Sequence, residues 1–186
     1  MLIFHSPGAT AKAKSIDPSL AGKTVTIFHS TSSTAVNSAQ IVAFNLSKIG
    51  MKTVDKPVPG AIYYKTLGTK GVDYDMARAG WCADYFDPFD YINVNLDGRS
   101  IQAQNNTDYS YLNSPKLNAA MDAAANLSGA ARTQAYQKLD YTIMKDYAPW
   151  VPYAIVNGVF FVSARTHNYI YSSYFGEPIF SALSVG

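Results

Sequence analysis

The chain has 186 residues, 48% of them hydrophobic and 15% charged, with a formal net charge of +2. That balance excludes a disordered tail and is long enough to bury a core, while near-neutral charge without a basic block disfavours a nucleic-acid partner. No apolar run approaches the length of about 18 residues that a membrane-spanning helix needs, and the single cysteine, Cys82, excludes an internal disulfide framework or a cysteine-based zinc cluster.

Pro7-Gly8, Asp17-Pro18 and Gly22 punctuate residues 5–23, which read as an irregular lead-in. TVTIF at 24–28 alternates and is β-branched, so it predicts a strand. Ser32 or Ser33 can cap a helix whose apolar positions Val36, Ala39, Val42, Ala43, Leu46 and Ile49 recur at three and four, with Gly50 as its stop. A second strand is predicted over 51–56, a turn at Pro59-Gly60, a short helix over 61–67 and a third strand over 73–80. The order strand, helix, strand, helix, strand predicts an α/β fold: a mostly parallel sheet flanked by helical crossovers.

Residues 92–113 are rich in Asn, Gln, Asp and Ser and read as a long polar loop. Ser114-Pro115 reads as an N-cap followed by Pro at the first helical position, opening a helix to about Leu127 with Leu117, Ala120, Met121 and Ala124 on one face. A further helix over 130–147 turns Ala135, Leu139, Ile143 and Tyr147 inward and stops at Pro149. WVPYAIV at 150–156 and VFFVS at 159–163 predict a C-terminal hairpin around Asn157-Gly158. The last twenty residues are aromatic and irregular.

ARAGWCADYFDPFDY at 77–91 mixes residue types that neither a core strand nor a solvated loop combines. It follows the third strand, and in parallel sheets ligands gather beyond the carboxyl ends of strands. It therefore reads as a strand surfacing into a cleft, presenting the Arg78 guanidinium and the Asp84 carboxylate. The plainer reading of each is a structural salt bridge or a strand-end contact. Trp81 fits a pocket wall and a core position equally, and Tyr85 and Phe86 fit a cleft lining or core packing. Asp87 before Pro88 reads as a cap, Asp90 as solvated, and Cys82 as a small buried residue.

Four stretches carry a family resemblance: IVAFNLSKIGMKTV at 41–54, YDMARAGWCADYFDP at 74–88, YLNSPKLNAAMDAA at 111–124 and YTIMKDYAPWVPY at 141–153. In these the chain resembles the C-terminal lobe of the solute-binding proteins of peptide-type ABC transporters, the oligopeptide, dipeptide and nickel binding family (family 5). The second stretch is the most specific. The resemblance implies one lobe of a two-lobed periplasmic-binding-protein-like fold. In that reading, 1–23 is a lead-in near the hinge, 24–163 the ligand-binding lobe, and 164–186 a segment packing on the lobe or returning to the hinge. The start of the chain does not read as a signal peptide, and the resemblance implies a domain excised from a longer, extracytoplasmic protein.

The resemblance also implies a function without catalysis or cofactor: capture of peptides, or similar small solutes, for import by an ABC permease. Asp84 matches the position that meets a ligand's α-amino group, and Arg78 one that reaches ligand carboxylates. An ionised carboxylate accepts several hydrogen bonds and a guanidinium fork suits a carboxylate. Another cargo, such as an oligosaccharide, an opine or a nickel chelate, is the alternative, with a small hydrolase behind it. The implied partners are the solute, the N-terminal lobe and the permease. A lobe alone would uncover apolar surface, which favours self-association, and half a cleft would bind peptides weakly. Asp84, Asp87 and Asp90 do not bracket a glycosidic bond. NVNLDG at 93–98 lacks the charges of a calcium loop, and His5, His29 and His167 have no metal spacing.

Overall fold

The computed structural model describes residues 17–155, 158–173 and 176–186. Contacts divide the chain into two compact units, one of residues up to Gly80 with Gln102–Tyr109, the other of Trp81–Ile101 with Ser110–Gly186.

The first unit is built on a parallel three-stranded sheet in the order β2-β1-β3, with β1 over Thr24–Ser30, β2 over Lys52–Val58 and β3 over Met76–Ala77. Helix α1 (Ser33–Lys48) crosses from β1 to β2 and α2 (Gly60–Leu67) follows β2. Side chains alternate across a strand, and β1 uses both faces. Val25 and Ile27 pack with Ala39 of α1, while Phe28 packs with Tyr63 and Leu67 of α2. Ser32 caps α1 by accepting from the Ala35 amide at 3.3 Å, and Gly50 takes φ +88° just past the helix end. The predicted strands and helices of this unit are present, and the α/β fold class holds as a small parallel sheet with helices.

The third strand is much shorter than the predicted 73–80. Only Met76 and Ala77 pair, opposite Ile27 and Phe28. The Asp75 carboxylate accepts from the Thr26 amide at 2.7 Å, so a side chain takes over from the ladder at the entry to the strand.

The second unit is helical: α3 over Pro88–Leu96, α4 over Pro115–Ala125 and α5 over Gly129–Thr142, with a π-helical turn at Ile143–Tyr147. Its core joins Ile92 and Leu96 of α3, Leu117, Met121 and Ala124 of α4, and Tyr136, Leu139 and Ile143 at and beyond α5. Leu96, Met121 and Ile143 are fully buried, each stabilising by about 1.5–3 kcal/mol relative to exposure. The predicted inward positions of the two later helices hold, except that Ala120 stays exposed. Ser114 caps α4 through the Leu117 amide with Pro115 at the first helical position.

Two expectations fail here. Residues 92–113 are not one loop: α3 runs to Leu96 and a 3-10 turn covers Gly98–Ser100. Asn93 and Asn95 of α3 are buried and partnered. The Asn93 side-chain oxygen accepts from the Tyr136 hydroxyl at 2.9 Å, and the Asn95 amide donates to the Asp90 and Tyr91 carbonyls. Second, residues 150–155 and 158–163 form no strand, so the C-terminal hairpin is absent on either side of a turn lying partly outside the described residues. Pro152 removes a ladder donor, and Ile155 and Phe161 are 91% and 95% exposed. Short antiparallel pairs occur later, β4 (Thr166–His167) with β7 (Ser184–Val185) and β5 (Tyr171–Ser172) with β6 (Glu177–Pro178).

Candidate functional site

The five predicted ligand-binding residues fall in different units: Arg78 in the first, and Trp81, Asp84, Tyr85 and Phe86 in the second.

Arg78 follows β3 directly, at the carboxyl end of the parallel sheet, and is half-buried. Its backbone is held on both sides. The amide donates to the Phe28 carbonyl at 3.0 Å, and the carbonyl accepts from the Tyr63 hydroxyl at 2.6 Å, a hydroxyl that also lies 3.1 Å from the Phe28 carbonyl. Burial holds the Tyr63 phenol above its usual range, with the neighbouring Tyr64 adding to the effect, so it stays a neutral donor. The tyrosine of α2 thus fixes where the chain leaves the sheet.

In the second unit, Asp84 is exposed and Trp81 half-buried. Phe86 is 89% and Tyr85 42% exposed, and neither joins a core cluster, so the core-packing alternative for both is set aside. Cys82 is exposed rather than buried, because the segment before α3 runs over the surface. Asp87 caps α3 through the Phe89 amide at 2.8 Å, as expected. The Arg132 guanidinium beside it holds the Asp87 carboxyl below the usual carboxylate range. Tyr85 is shifted up, by partial burial first and then by the fields of Asp90, Asp87 and Asp84.

Asp90 is the largest departure. It is fully buried rather than solvated. Its Oδ2 accepts from the Trp81 indole at 3.1 Å and the Asp84 amide at 3.0 Å. Sequence patterning missed it because an Asp in a first helical turn is normally a surface residue favoured by the helix dipole. The Trp81 indole, a donor that needs a partner when withdrawn from water, was the available signal.

A cavity of about 290 Å³ runs along α4 and α5, lined by Leu117, Ala120, Ala124, Ala135, Leu139 and Lys138 among others, and none of the predicted ligand-binding residues lines it. Among the described residues no cluster of His, Cys, Asp and Glu could hold a metal ion, and no helix is long and apolar enough to cross a membrane.

Relatives and structural neighbours of the chain include a periplasmic oligopeptide-binding protein and an ABC-transporter-associated periplasmic binding protein. In sequence it is 32% identical over 93 residues to the periplasmic oligopeptide-binding protein OppA of Escherichia coli, covering 50% of this chain and 15% of that protein. It is 26% identical over 147 residues to heme-binding protein A of Haemophilus influenzae, covering 79% of this chain and 26% of that protein. Among solved structures it superposes on clavulanic acid biosynthesis oligopeptide binding protein 2 with a TM-score of 0.85 at 19% identity, over 96% of this chain and 33% of that one. The periplasmic binding protein DppA of Helicobacter pylori, in complex with the peptide STSA, matches with a TM-score of 0.65 at 26% identity, over 77% of this chain and 27% of that one. The matched stretches are thus a third or less of each of these relatives. No protein-family model matches the chain.

Proposed function

We propose that the chain is the C-terminal-lobe portion of an extracytoplasmic solute-binding protein that captures peptides for import by an ABC transporter. It works by binding and carries out no catalysis. Asp84 receives the peptide's amino terminus, with Trp81, Tyr85 and Phe86 offering apolar surface near it in the chain, and Arg78 is proposed for a ligand carboxylate. An N-terminal lobe and a membrane permease are the proposed partners.

The observation that carries this reading is the sequence match to the oligopeptide-binding protein of Escherichia coli. The physical chemistry agrees with it. Asp84 is an exposed carboxylate among others that push the Tyr85 hydroxyl up, a setting that favours an ammonium group. The alignment with heme-binding protein A, which covers more of the chain, supports a second reading in which the cargo is not a peptide.

Calorimetry on the whole two-lobed protein, with trialanine and its N-acetyl form, tests the first reading. Asp84→Ala is expected to weaken the free-amino peptide by tenfold or more, on the order of one lost charge-assisted hydrogen bond, and to leave the acetylated one unchanged. Equal losses for both would remove the role of Asp84. Tight haem binding with no peptide binding would favour the second reading.

A further inference from the structure

We propose that Asp90 is the positioning residue of the Asp84 carboxylate: a buried side chain, without touching ligand, fixes the segment that presents Asp84. The inference rests on the reading of Asp84 given above.

Asp90 occupies the third position of α3, after the Asp87 cap and Pro88. An acidic residue there commonly folds back onto the amide of its own cap. Here the Asp87 amide is already used, donating to the Tyr85 carbonyl at 2.9 Å. Asp90 reaches further back, and its Oδ2 takes the Trp81 indole and the Asp84 amide together. One oxygen thereby closes both ends of the Trp81–Asp84 segment onto the start of a helix.

The helix holds Asp90 in turn. Its amide donates to the Asp87 carbonyl at 3.1 Å, and its carbonyl accepts from the Asn95 side chain at 3.1 Å. The Arg132 grip on Asp87 ties the same helix end to the carbonyls at the end of α4. Asp84 is therefore fixed at its backbone while its side chain stays exposed.

A purely structural account leaves the other oxygen unexplained. Asp90 Oδ1 is buried and no described residue donates to it. Such an atom costs stability, and an apolar residue packed at that position would avoid the cost. Retaining a carboxylate makes sense where its two bonds serve the segment it organises.

The test uses the full chain, Asp90→Leu and Asp90→Ala, the first keeping the side-chain shape without an acceptor in case the second fails to fold. Hydrogen exchange by NMR is followed at the Asp84 amide and the Trp81 indole, the chain having only two tryptophans to assign. Exchange at both is expected to accelerate by about tenfold, the equivalent of one lost hydrogen bond, with the amides of Ile92 and Leu96 unchanged. The preference for trialanine over N-acetyl-trialanine is expected to fall in parallel, without loss of affinity for the acetylated form. Unchanged exchange at both sites overturns the proposal, as does faster exchange with the preference intact. A wild-type two-lobed protein without the preference, or its Asp84→Ala variant that keeps it, sinks the reading of Asp84 and with it the role given to Asp90, whereas exchange in the chain still reports whether the segment is tethered.

Discussion

Arg132 holds both carboxylate oxygens of Asp87, with Nη2 2.7 Å from Oδ1 and Nε 3.1 Å from Oδ2. Its remaining nitrogen donates to the Ala125 carbonyl at 2.7 Å and the Ala124 carbonyl at 3.2 Å, at the end of α4. The guanidinium also lies 4.9 Å from the centroid of the Tyr136 ring. One side chain of α5 thus closes the amino end of α3 against the carboxyl end of α4. Planar fork geometry is what makes this feasible, and a lysine cannot reproduce it.

Arg132→Ala is expected to lower the stability of the helical unit by about 1–2 kcal/mol, through lost charge-assisted hydrogen bonds at a partly exposed site. Arg132→Lys is expected to recover less than half of that. Urea denaturation followed by circular dichroism measures both; a lysine variant as stable as wild type would show that charge alone, not the fork, holds the elements.

The same pair sets an acid limb. Asp87, Asp97 and Asp122 are all held below the ordinary carboxylate range, the first chiefly by Arg132 and the others by Arg99. A carboxyl depressed in the folded state contributes stability that is fully present above its unfolded value and is lost as pH falls through the folded one. Stability is therefore expected to be flat above about pH 5 and to decline below about pH 4. In Asp87→Asn the decline should be shallower and the plateau lower. A melting series across that range in wild type and variant decides it; parallel acid limbs would mean that Asp87 does not contribute.

Glycines in and beside α2 give a matched pair. A Cβ on Gly68 would lie 2.7 Å from the Asn106 carbonyl oxygen and 3.1 Å from its amide nitrogen, both backbone atoms. Asn106 is bonded through its own amide and its side chain to the Gly68 carbonyl, at 3.0 and 2.8 Å. Gly68→Ala is expected to cost about 2 kcal/mol, because backbone must move to make room. Gly60→Ala meets nothing within 4 Å and is expected to be neutral or stabilising by about 0.5 kcal/mol. Thermal melts of the two variants should move apart; similar shifts would show that the close approach at Gly68 is readily relieved.

Where the local pattern and the burial agree, the sequence was enough to read the fold. The alternation in β1 separates Val25 and Ile27 from Phe28, and two helices cover its two faces. Ser114, Pro115 and the spacing of Leu117, Met121 and Ala124 delimit α4. Helix α3 was illegible because Asp90, Asn93 and Asn95 are buried polar residues, whose partners lie outside any local window. For 150–163 the failure has the opposite cause: β-prone residues mark a segment that would pair, and pairing requires an edge. At the candidate site the exposed Asp84 and the Asp87 cap could be read from residue types, whereas the burial of Asp90 depends on a tryptophan nine residues earlier.

The residues at 150–163 lead to the last expectation. Val151, Tyr153, Ile155, Val159 and Phe161 are each more than 60% exposed, and the described residues of that segment take part in no ladder. A cluster of this kind, β-prone and apolar, is a surface that seeks cover. The chain is therefore expected to self-associate as its concentration rises, and Ile155→Asp combined with Phe161→Asp is expected to suppress this without shifting the melting temperature, since neither residue contributes to a core cluster. Sedimentation velocity over a concentration series measures it. A chain that stays monomeric throughout, or a double variant that associates as wild type does, would mean that these side chains are not what drives the contact.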